Sequence, residues 1–355
     1  MKTENGTRES PGAGASPPAA GPRAIYALGA KEFDWIYGPD QRRAISQLIA
    51  IPDRAYTQEM LQTNPEVLAP VEILFSGWGG PRVDAQFLEL APRLKLVFGA
   101  GALSSAATFV AWERGVRFCS AAAANSVPVA EYAQAMIVLG LKHVWRHAAD
   151  MKQQKRRAEN DFAPGCYRRT VGLVSMGAVG RILAGKLATS ELRVIAYDPF
   201  LPPAQAAALG VEMVSLPHLF ASSQAVSLHT PLLPETRGMI TGELIALMPT
   251  GATFINTSRG AIVREDHLIA VARRRPDLQF ILDVTDPEPP APGSPLYALP
   301  NVVLTPHLAG SLGQECHRMG QMVADDFRRY LAGEPMLHEI TAAMAQHGIH
   351  RPMAP

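Results

Sequence analysis

Short apolar runs, each bounded by glycine, proline or polar residues, recur along most of the chain. They predict strands at 24–28, 72–76, 95–98, 116–119, 170–174, 193–197, 211–214, 225–228, 252–256, 279–283 and 301–304. Between them, apolar residues recur at helical spacing, for example at 84–90, 241–248, 265–274 and 311–331. This alternation is typical of an α/β protein, and from residue 170 onward it favours a doubly wound parallel sheet.

A long helical pattern begins at Asn125 and runs towards residue 148. Ser126 suits the N-cap and Pro128 suits the first turn, so we expect the helix to start there. Its apolar content is high for a surface helix, which predicts burial against something large, such as a second subunit. His143 and His147 lie four residues apart and could hold a metal, but no third ligand has suitable spacing. Solvated or packed histidines are therefore the favoured interpretation.

Composition narrows the classes of protein. The chain has 355 residues, of which 47% are hydrophobic, and a net charge of +1 without a basic block. Neither nucleic acid nor a membrane is therefore an expected partner, and no apolar run is long enough to span a bilayer. Residues 1–23 are rich in Gly, Pro, Ala and Ser and predict a disordered leader rather than a signal peptide. Three widely spaced cysteines suit the cytoplasm and form no metal-binding pattern.

The stretch 170–181 carries the first functional signal. An apolar run leads into a glycine turn and a helical pattern, and the next apolar run ends at Asp198. This is the layout of a dinucleotide site, in which Gly177 admits a pyrophosphate, Gly180 lets the helix pack on the strand, and Asp198 accepts hydrogen bonds from a ribose. Ser175 replaces the first glycine of G-x-G-x-x-G, so a strand-turn-helix that binds no nucleotide stays an alternative.

Unusual polar residues in the second half of the chain fall just after predicted strands. They are Ser175, Asp198, 229–231, 256–260, Asp283, Glu288 and 305–307. The carboxyl ends of parallel strands share one edge of a sheet, and ligands of α/β proteins bind along that edge. The positions therefore strengthen the nucleotide-site interpretation.

Three of these residues form a chemical set. Arg259 is a fixed cation suited to a carboxylate or a polarised carbonyl. His307 can exchange a proton near neutral pH, and Glu288 would orient it and favour its protonated form. A nicotinamide carries hydride but no proton, so reduction of a C=O needs a separate proton donor. Each residue alone has a structural explanation, but the three together predict an oxidoreductase.

The chain resembles the D-isomer-specific 2-hydroxyacid dehydrogenases over about residues 70 to 335. The matching motifs are VGLVSMGAVGR at 171–181 with Asp198, VSLHTPL at 226–232 with ETR at 235–237, INTSRG at 255–260, LDV at 282–284 with Glu288-Pro289, and NVVLTPHLAG at 301–310. The resemblance implies an NAD-dependent enzyme that transfers hydride between the cofactor and a small 2-oxo or 2-hydroxy acid.

The resemblance also implies a domain organisation. We expect two Rossmann-like domains: an NAD-binding domain at 125–311, and a smaller flavodoxin-like substrate domain formed by 24–124 and 312–336. Residues 337–355 would form a C-terminal tail. A homodimer built largely by the NAD-binding domains is also expected.

Site residues follow from the family's motifs. The implied catalytic residues are Arg259, Glu288 and His307. The implied cofactor-binding residues are Ser175, Met176, Gly177, Ala178, Val179, Asp198, His229, Thr230, Pro231, Thr257, Ser258, Asp283, His307 and Gly310, with Asp283 holding the nicotinamide amide. The implied substrate-binding residues are Trp78, Gly79, Ala100, Gly101, Arg259 and His307, with backbone amides near Ala100 and Gly101 taking the substrate carboxylate. No metal is expected.

The chain departs from the family pattern at two places. Ser175 replaces the usual first glycine, and a serine fits there only if it keeps a negative φ. The turn at 98–103 lacks the arginine commoner in the family, so substrate preference is open, and Trp78 is expected to limit the size of the substrate side chain.

Cofactor choice and two rival functions complete the expectations. NAD is favoured over NADP because Asp198 would repel a 2′-phosphate and no basic residue follows it in 199–201. A formate dehydrogenase is one alternative, although that class pairs its histidine with glutamine rather than with an acid. A corepressor-like protein that binds nucleotide with little turnover is the other.

Overall fold

The structure, a computed structural model, describes residues 23–100, 108–155 and 163–346. It contains two sheets, of five and seven strands, and so confirms the predicted α/β class. Every predicted strand forms, and 170–174, 193–197 and 225–228 match to the residue. Among the described residues, no helix is both long and apolar enough to cross a bilayer.

The smaller sheet has the order β1-β2-β3-β4-β12. Its strands are β1 (Arg23–Ala27), β2 (Val71–Ser76), β3 (Leu96–Gly99), β4 (Arg117–Ser120) and β12 (Glu339–Ile340). The first four are parallel, whereas β12 runs antiparallel to β4. Its helices are α1 (Ala30–Ile36), α2 (Pro39–Ser46), α3 (Gln58–Thr63), α4 (Ala85–Leu90), α5 (Phe109–Glu113), α13 (His317–Leu331) and α14 (Ala342–Gln346). Two apolar cores, one including α1, α2 and α13 and the other α3 to α5, enclose the sheet.

The larger sheet is parallel throughout, with the order β11-β10-β9-β8-β5-β6-β7. Its strands are β5 (Thr170–Val174), β6 (Arg193–Tyr197), β7 (Glu212–Met213), β8 (Ala225–Leu228), β9 (Thr253–Asn256), β10 (Gln279–Leu282) and β11 (Val302–Leu304). Its helices are α6 (Ala122–Leu141), α7 (Val144–Gln154), α8 (Ala178–Leu187), α9 (Pro203–Ala208), α10 (Leu216–Ser222), α11 (Gly242–Ala246) and α12 (Glu265–Arg274). The strand order reverses between β5 and β8, and doubly wound sheets bind ligands at such a switch point.

The long helix differs from the sequence prediction at both ends. It begins at Ala122, so Ser126 is not its N-cap and Pro128 lies in its interior. The alanines that precede Asn125 have high helix propensity, and the Ser126 hydroxyl donates back to the carbonyl of Ala122 at 3.2 Å. The helix then ends at Leu141, because His143 takes a left-handed conformation with φ 48° and its Nε2 contacts the carbonyl of Gly251 at 2.7 Å.

Helix α6 packs against both sheets of this chain. Ala124 lies in a core of the smaller sheet, whereas Ala130 and Ile137 lie in a core of the larger one. A Cβ at Gly140 would meet the side chain of Thr253, so the helix sits directly on β9. Its apolar composition therefore follows from burial between the two sheets.

The chain after residue 336 is also attached to the smaller sheet. Glu339 and Ile340 form β12, Ile340 is buried, and Arg117 donates two hydrogen bonds of 2.7 Å to Glu339. The prediction of a separate tail from residue 337 is therefore wrong for these residues. The antiparallel pairing with β4 joins positions more than 200 residues apart, and no local pattern encodes it.

Candidate active site

The turn between β5 and α8 adopts the left-handed conformation that its serine was expected to avoid. Ser175 has φ 77°, so the expectation that a serine fits here only with a negative φ is wrong. Its N–H donates to the carbonyl of Tyr197 at 2.8 Å, and its hydroxyl lies 3.0 Å from that of Thr230. These bonds hold a backbone conformation that costs a non-glycine residue about 1 kcal/mol. The glycine-type turn is thus kept although the glycine is absent.

The two glycines of the turn serve different purposes. A Cβ at Gly180 would collide with the carbonyl oxygen of Ser175, so this glycine permits the close approach of α8 to β5. A Cβ at Gly177 would meet nothing within 4 Å, which leaves this backbone open to a ligand. Gly177 is also the N-cap of α8, and no side chain caps the helix. The N–H groups of its first turn, beginning at Ala178 and Val179, can therefore donate hydrogen bonds to an anion such as a pyrophosphate.

Asp198 lies directly beside this turn. One carboxylate oxygen accepts a hydrogen bond from the N–H of Met176 at 2.8 Å, and the other accepts from Phe200 at 2.8 Å and Leu201 at 3.1 Å. These bonds hold the negatively charged side chain of Asp198 at the carboxyl end of β6, next to the open space beside Gly177. A carboxylate can accept about four hydrogen bonds, so one acceptor position stays open for a ribose hydroxyl.

Two buried polar atoms on adjacent strand ends have no protein partner among the described residues. They are Nε2 of His229 and Oγ1 of Thr257. Leu228 pairs with Asn256 across β8 and β9, so His229 and Thr257 are neighbours at the sheet edge. Burial lowers the pKa of His229 to about 4, which keeps the imidazole neutral. Buried polar groups normally have a hydrogen-bond partner, so the two atoms fit a polar ligand in the cleft, as a dinucleotide would be.

The remaining predicted residues of these two turns have structural partners. The hydroxyl of Thr230 contacts Ser175 and lies 3.4 Å from the carbonyl of Val174, and Pro231 follows it. The hydroxyl of Ser258 donates to the carbonyl of Leu228 at 3.1 Å, which ties the β9 turn to β8.

Arg259 is presented by a turn that two other residues build. The side chain of Asn256 donates to the carbonyl of Arg259 at 3.1 Å and accepts from the N–H of Ser258 at 3.0 Å. A Cβ at Gly260 would collide with the backbone of Thr285, so this glycine is required where the segment leading to Glu288 crosses the turn. Arg259 itself is exposed, and one of its guanidinium nitrogens donates to the carbonyl of Ser258 at 2.6 Å, which leaves its other donors for a ligand. Asn256 and Gly260 were not among the predicted site residues, because their roles depend on contacts across the turn.

Glu288 and His307 form the expected pair. Nδ1 of His307 lies 2.6 Å from a carboxylate oxygen of Glu288, and the side chains are 46% and 39% exposed for His307 and Glu288 respectively. His307 has φ 52°, a left-handed conformation that directs the ring from a constrained turn. Because Nδ1 faces the carboxylate, Nε2 is the nitrogen left for a substrate.

Asp283 holds the loop that carries His307. Its backbone carbonyl accepts the N–H of His307 at 2.9 Å, and its carboxylate accepts the N–H groups of Leu308 at 2.9 Å and Ala309 at 3.0 Å. The hydroxyl of Thr305 donates to the same carboxylate at 2.6 Å. Its implied contact with a nicotinamide amide stays a prediction, whereas its support of the loop is direct.

Tyr132 extends this network into α6. Its hydroxyl lies 2.9 Å from the hydroxyl of Thr305, whose single proton is used for Asp283, so Tyr132 is the donor. Burial, opposed by the hydrogen bond with Thr305 and aided by the charge of Asp283, raises the pKa of Tyr132 and keeps it protonated. Sequence reasoning missed this residue, because nothing in a helical pattern marks a contact with a loop 173 residues away.

Three of the predicted substrate residues, Trp78, Gly79 and Ala100, lie at the carboxyl edge of the smaller sheet. The N–H of Gly29 donates to the carbonyl of Trp78 at 2.9 Å, and Gly79 has φ 72°. The N–H of Ala100 donates to the carbonyl of Ser76 at 3.2 Å, so the sheet already uses the amide that was expected to bind a carboxylate. Gly101 lies outside the described residues.

Asn125 connects this region to the His307 loop. Its side-chain oxygen accepts the N–H of Ser311 at 2.7 Å, and a Cβ at Gly310 would press against the same side chain. The loop therefore passes from the larger sheet to the smaller one against the start of α6.

Comparison with known proteins agrees with this geometry. Residues 134–309 match the sequence model of the D-isomer specific 2-hydroxyacid dehydrogenase NAD binding domain. D-3-phosphoglycerate dehydrogenase of Mycobacterium leprae is 32% identical over 312 residues, which cover 87% of this chain and 55% of that protein. The enzyme of the same name from Archaeoglobus fulgidus is 30% identical over 260 residues, covering 73% and 49%. The chain thus spans about half the length of the curated relatives it matches.

Solved structures share the whole architecture. The TT0316 protein from Thermus thermophilus has a TM-score of 0.70 and 26% identity, covering 90% of this chain and 100% of its own. A D-isomer specific 2-hydroxyacid dehydrogenase from Xanthobacter autotrophicus Py2, solved with NADPH and MES, has a TM-score of 0.73 and 25% identity, covering 91% and 99%. With its two sheets, its glycine-type turn and its Glu288–His307 pair, the chain belongs to the D-isomer specific 2-hydroxyacid dehydrogenase family.

Proposed function

We propose that the protein transfers hydride reversibly between NAD(H) and a small D-2-hydroxy acid or the corresponding 2-oxo acid. The observation that carries the proposal is the 2.6 Å contact between Glu288 and Nδ1 of His307, at the same sheet edge as Arg259 and the open turn at Gly177. This edge of the sheet thereby combines a proton donor, a cation that can bind the substrate, and a turn that can bind the cofactor.

Each residue has a distinct task. In the reducing direction, Arg259 binds the substrate through its carboxylate and its polarised carbonyl. When bound at the turn by Gly177, a nicotinamide cofactor would supply the hydride for the carbonyl carbon. Nε2 of His307 gives a proton to the carbonyl oxygen, and the charge of Glu288 stabilises the protonated imidazole and fixes its orientation. In the oxidising direction the same nitrogen accepts the hydroxyl proton.

NAD is the proposed cofactor. The carboxylate of Asp198 is fixed next to the turn and would repel the 2′-phosphate of NADP, and no arginine or lysine follows it before residue 202. The neutral His229 and the hydroxyl of Thr257 would complete the polar contacts deeper in the cleft.

The assembly and location of the protein belong to the same proposal. We infer a homodimer formed by the NAD-binding domains and a place in the cytoplasm. Sedimentation analysis would test the first, because a mass of twice 38.2 kDa is expected.

The two rival functions make different predictions. A formate dehydrogenase would reduce NAD with formate, whereas Glu288 supplies the acid partner expected of a hydroxyacid dehydrogenase. A corepressor-like protein would bind NADH without oxidising it at a useful rate. Incubation of the pure protein with NADH and a panel of 2-oxo acids, and with NAD and formate, separates all three by absorbance.

Glu288→Gln tests the proposed catalytic pair. We expect kcat to fall about 10²-fold or more, because the proton donor loses the charge that stabilises it. NADH affinity, measured by fluorescence titration, should change little. Glu191→Gln is the matched control, since Glu191 is exposed and precedes β6 at the opposite edge of the sheet. Equal kcat values for the Glu288 variant and the unmodified protein would refute the assignment.

A further inference from the structure

We propose that the substrate is a 2-oxo acid whose side chain is apolar and uncharged, and that Glu32 excludes acids that carry a second anionic group. This inference rests on the proposed dehydrogenase function and narrows its substrate class. It is carried by the turns that follow β1 and β2 and by the first turn of α1.

These turns lie side by side next to the His307 loop. In the parallel sheet, Ala27 pairs with Ser76, so the turns that follow β1 and β2 are neighbours. The chain that leaves His307 forms a short 3-10 turn, Gly313–Cys316, which packs against α1. Cys316 belongs to the same apolar core against which Trp78 packs. The edge therefore adjoins the catalytic loop, where the variable part of a substrate would lie.

The two turns offer apolar surface. Trp78 is partly buried against the core, and Leu312, which is 49% exposed, lies five residues after His307. Within the described residues, the turns at 28–29 and 77–80 contain no arginine, lysine or histidine. A phosphate or a second carboxylate would normally be bound by such residues, because burying an anion without a cation is costly.

An anion, the carboxylate of Glu32, lies against these turns. The carboxylate of Glu32 folds back over Gly29, where it occupies the space that a Cβ on that residue would take, beside the carbonyl of Trp78. The neighbouring Lys31 does not neutralise it, because its Nζ lies over the ring of Trp35 at 4.3 Å from the centroid. A substrate with a distal negative charge would thus meet a like charge, which is an effective way to reject it.

Two 2-oxo acids, one with an apolar and one with an anionic end to its side chain, test the proposal in the full chain. 4-Methyl-2-oxopentanoate ends in an isopropyl group, whereas 2-oxopentanedioate ends in a carboxylate of similar size. With NADH, we expect kcat/KM to be at least about tenfold higher for the first acid, as expected for repulsion between close charges. 3-Phosphooxypyruvate, which carries a phosphate, should be at least as poor as the dicarboxylate. Thermal stabilisation by each acid in the presence of NAD should follow the same order without depending on turnover.

Glu32→Gln tests the role of the anion. This variant should raise kcat/KM for 2-oxopentanedioate by about fivefold or more and leave the value for 4-methyl-2-oxopentanoate unchanged. Glu59→Gln is the matched control, because Glu59 is an exposed acid in the first turn of α3, and it should change neither value.

The outcomes distinguish the inference from the function on which it rests. Turnover that is equal or higher with the dicarboxylate or the phosphorylated acid would overturn the inference while leaving a dehydrogenase. A Glu32→Gln variant with an unchanged ratio would overturn the role of Glu32. Absence of NADH oxidation with every acid would overturn the proposed function and the inference together.

Discussion

At the scale of single residues, Ser175 shows how a substitution in a glycine-type turn is accommodated by its neighbours. The turn imposes φ 77°, which glycine adopts freely and serine does not. The hydroxyl contact with Thr230, 3.0 Å long, is available to serine alone among the smallest residues. Strain and hydrogen bonding therefore act in opposite directions at this position.

Replacing Ser175 with glycine or alanine should separate the two effects. Ser175→Gly relieves the strain but loses the hydrogen bond, so we expect the free energy of unfolding to change by less than about 0.5 kcal/mol. Ser175→Ala keeps the strain and loses the bond, so a loss of about 1 kcal/mol is expected. Urea denaturation would measure both. Equal stability of the two variants would contradict the interpretation.

At the scale of elements, the His307 loop depends on a helix that has no direct part in the proposed chemistry. The hydroxyl of Tyr132 in α6 donates a hydrogen bond to Thr305, which donates in turn to the carboxylate of Asp283. The same carboxylate accepts hydrogen bonds from the N–H groups of Leu308 and Ala309. His307 lies within this loop at a left-handed φ, a conformation that persists only where the surroundings hold it. Tyr132 is thus a positioning residue.

Tyr132→Phe should lower kcat about three- to tenfold while KM changes less than about twofold. The reason is that the substitution removes one neutral hydrogen bond, worth about 1 kcal/mol, from the loop that carries the proposed proton donor. The ring, and therefore the packing of α6, is kept. Tyr167→Phe, which removes a hydroxyl from a 59% exposed tyrosine, is the control and should have no effect. Thr305→Ser should retain most of the activity and Thr305→Val should not. A rise in KM alone for Tyr132→Phe would indicate a different role.

At the scale of the whole molecule, a buried carboxylate attaches the last strand to the rest of the fold. Asp326 of α13 is 2% exposed and accepts hydrogen bonds from the N–H groups of Leu337 and His338, from the ring of His338, and from the thiol of Cys119 on β4. Burial alone would raise the pKa of Asp326, but the hydrogen bonds outweigh it and lower the pKa. The charged form therefore stabilises the folded state.

Asp326→Asn should reduce the free energy of unfolding by about 3 kcal/mol at neutral pH, since the buried donors lose their anionic acceptor. Because the pKa of Asp326 is lower in the folded state than the unfolded-state value of about 4, the carboxylate stabilises the folded protein at pH values above about 4. This stabilisation is lost as the pH falls through the folded-state pKa. The difference from the unmodified protein should therefore shrink below about pH 4. Asp325→Asn, at an exposed position of the same helix, should cost less than about 1 kcal/mol. Denaturation at several pH values would check both, and a constant difference would exclude this account.

Much of the site was readable from the sequence because it is encoded locally. Strand, turn and helix signals fixed the carboxyl ends of the strands, and polar residues just after them had to share one edge of the sheet. The Glu288–His307 contact and the position of Asp198 beside the glycine turn follow from that rule. Ser175 was misread because a preference for negative φ, which is a property of the isolated residue, was outweighed by hydrogen bonds to Tyr197 and Thr230.

The sequence by itself determined the α/β class, the strand positions and the residues that gather at the cleft, because hydrophobic periodicity and turn chemistry act over a few residues. Only the tertiary structure decided the pairing of β12 with β4, the start of α6 at Ala122, and the support of the His307 loop by Tyr132. The placement of Glu32 over Gly29 is of the same kind. These features are contacts between parts of the chain that meet only when both sheets are formed, and their energy depends on distance in space rather than on order along the chain.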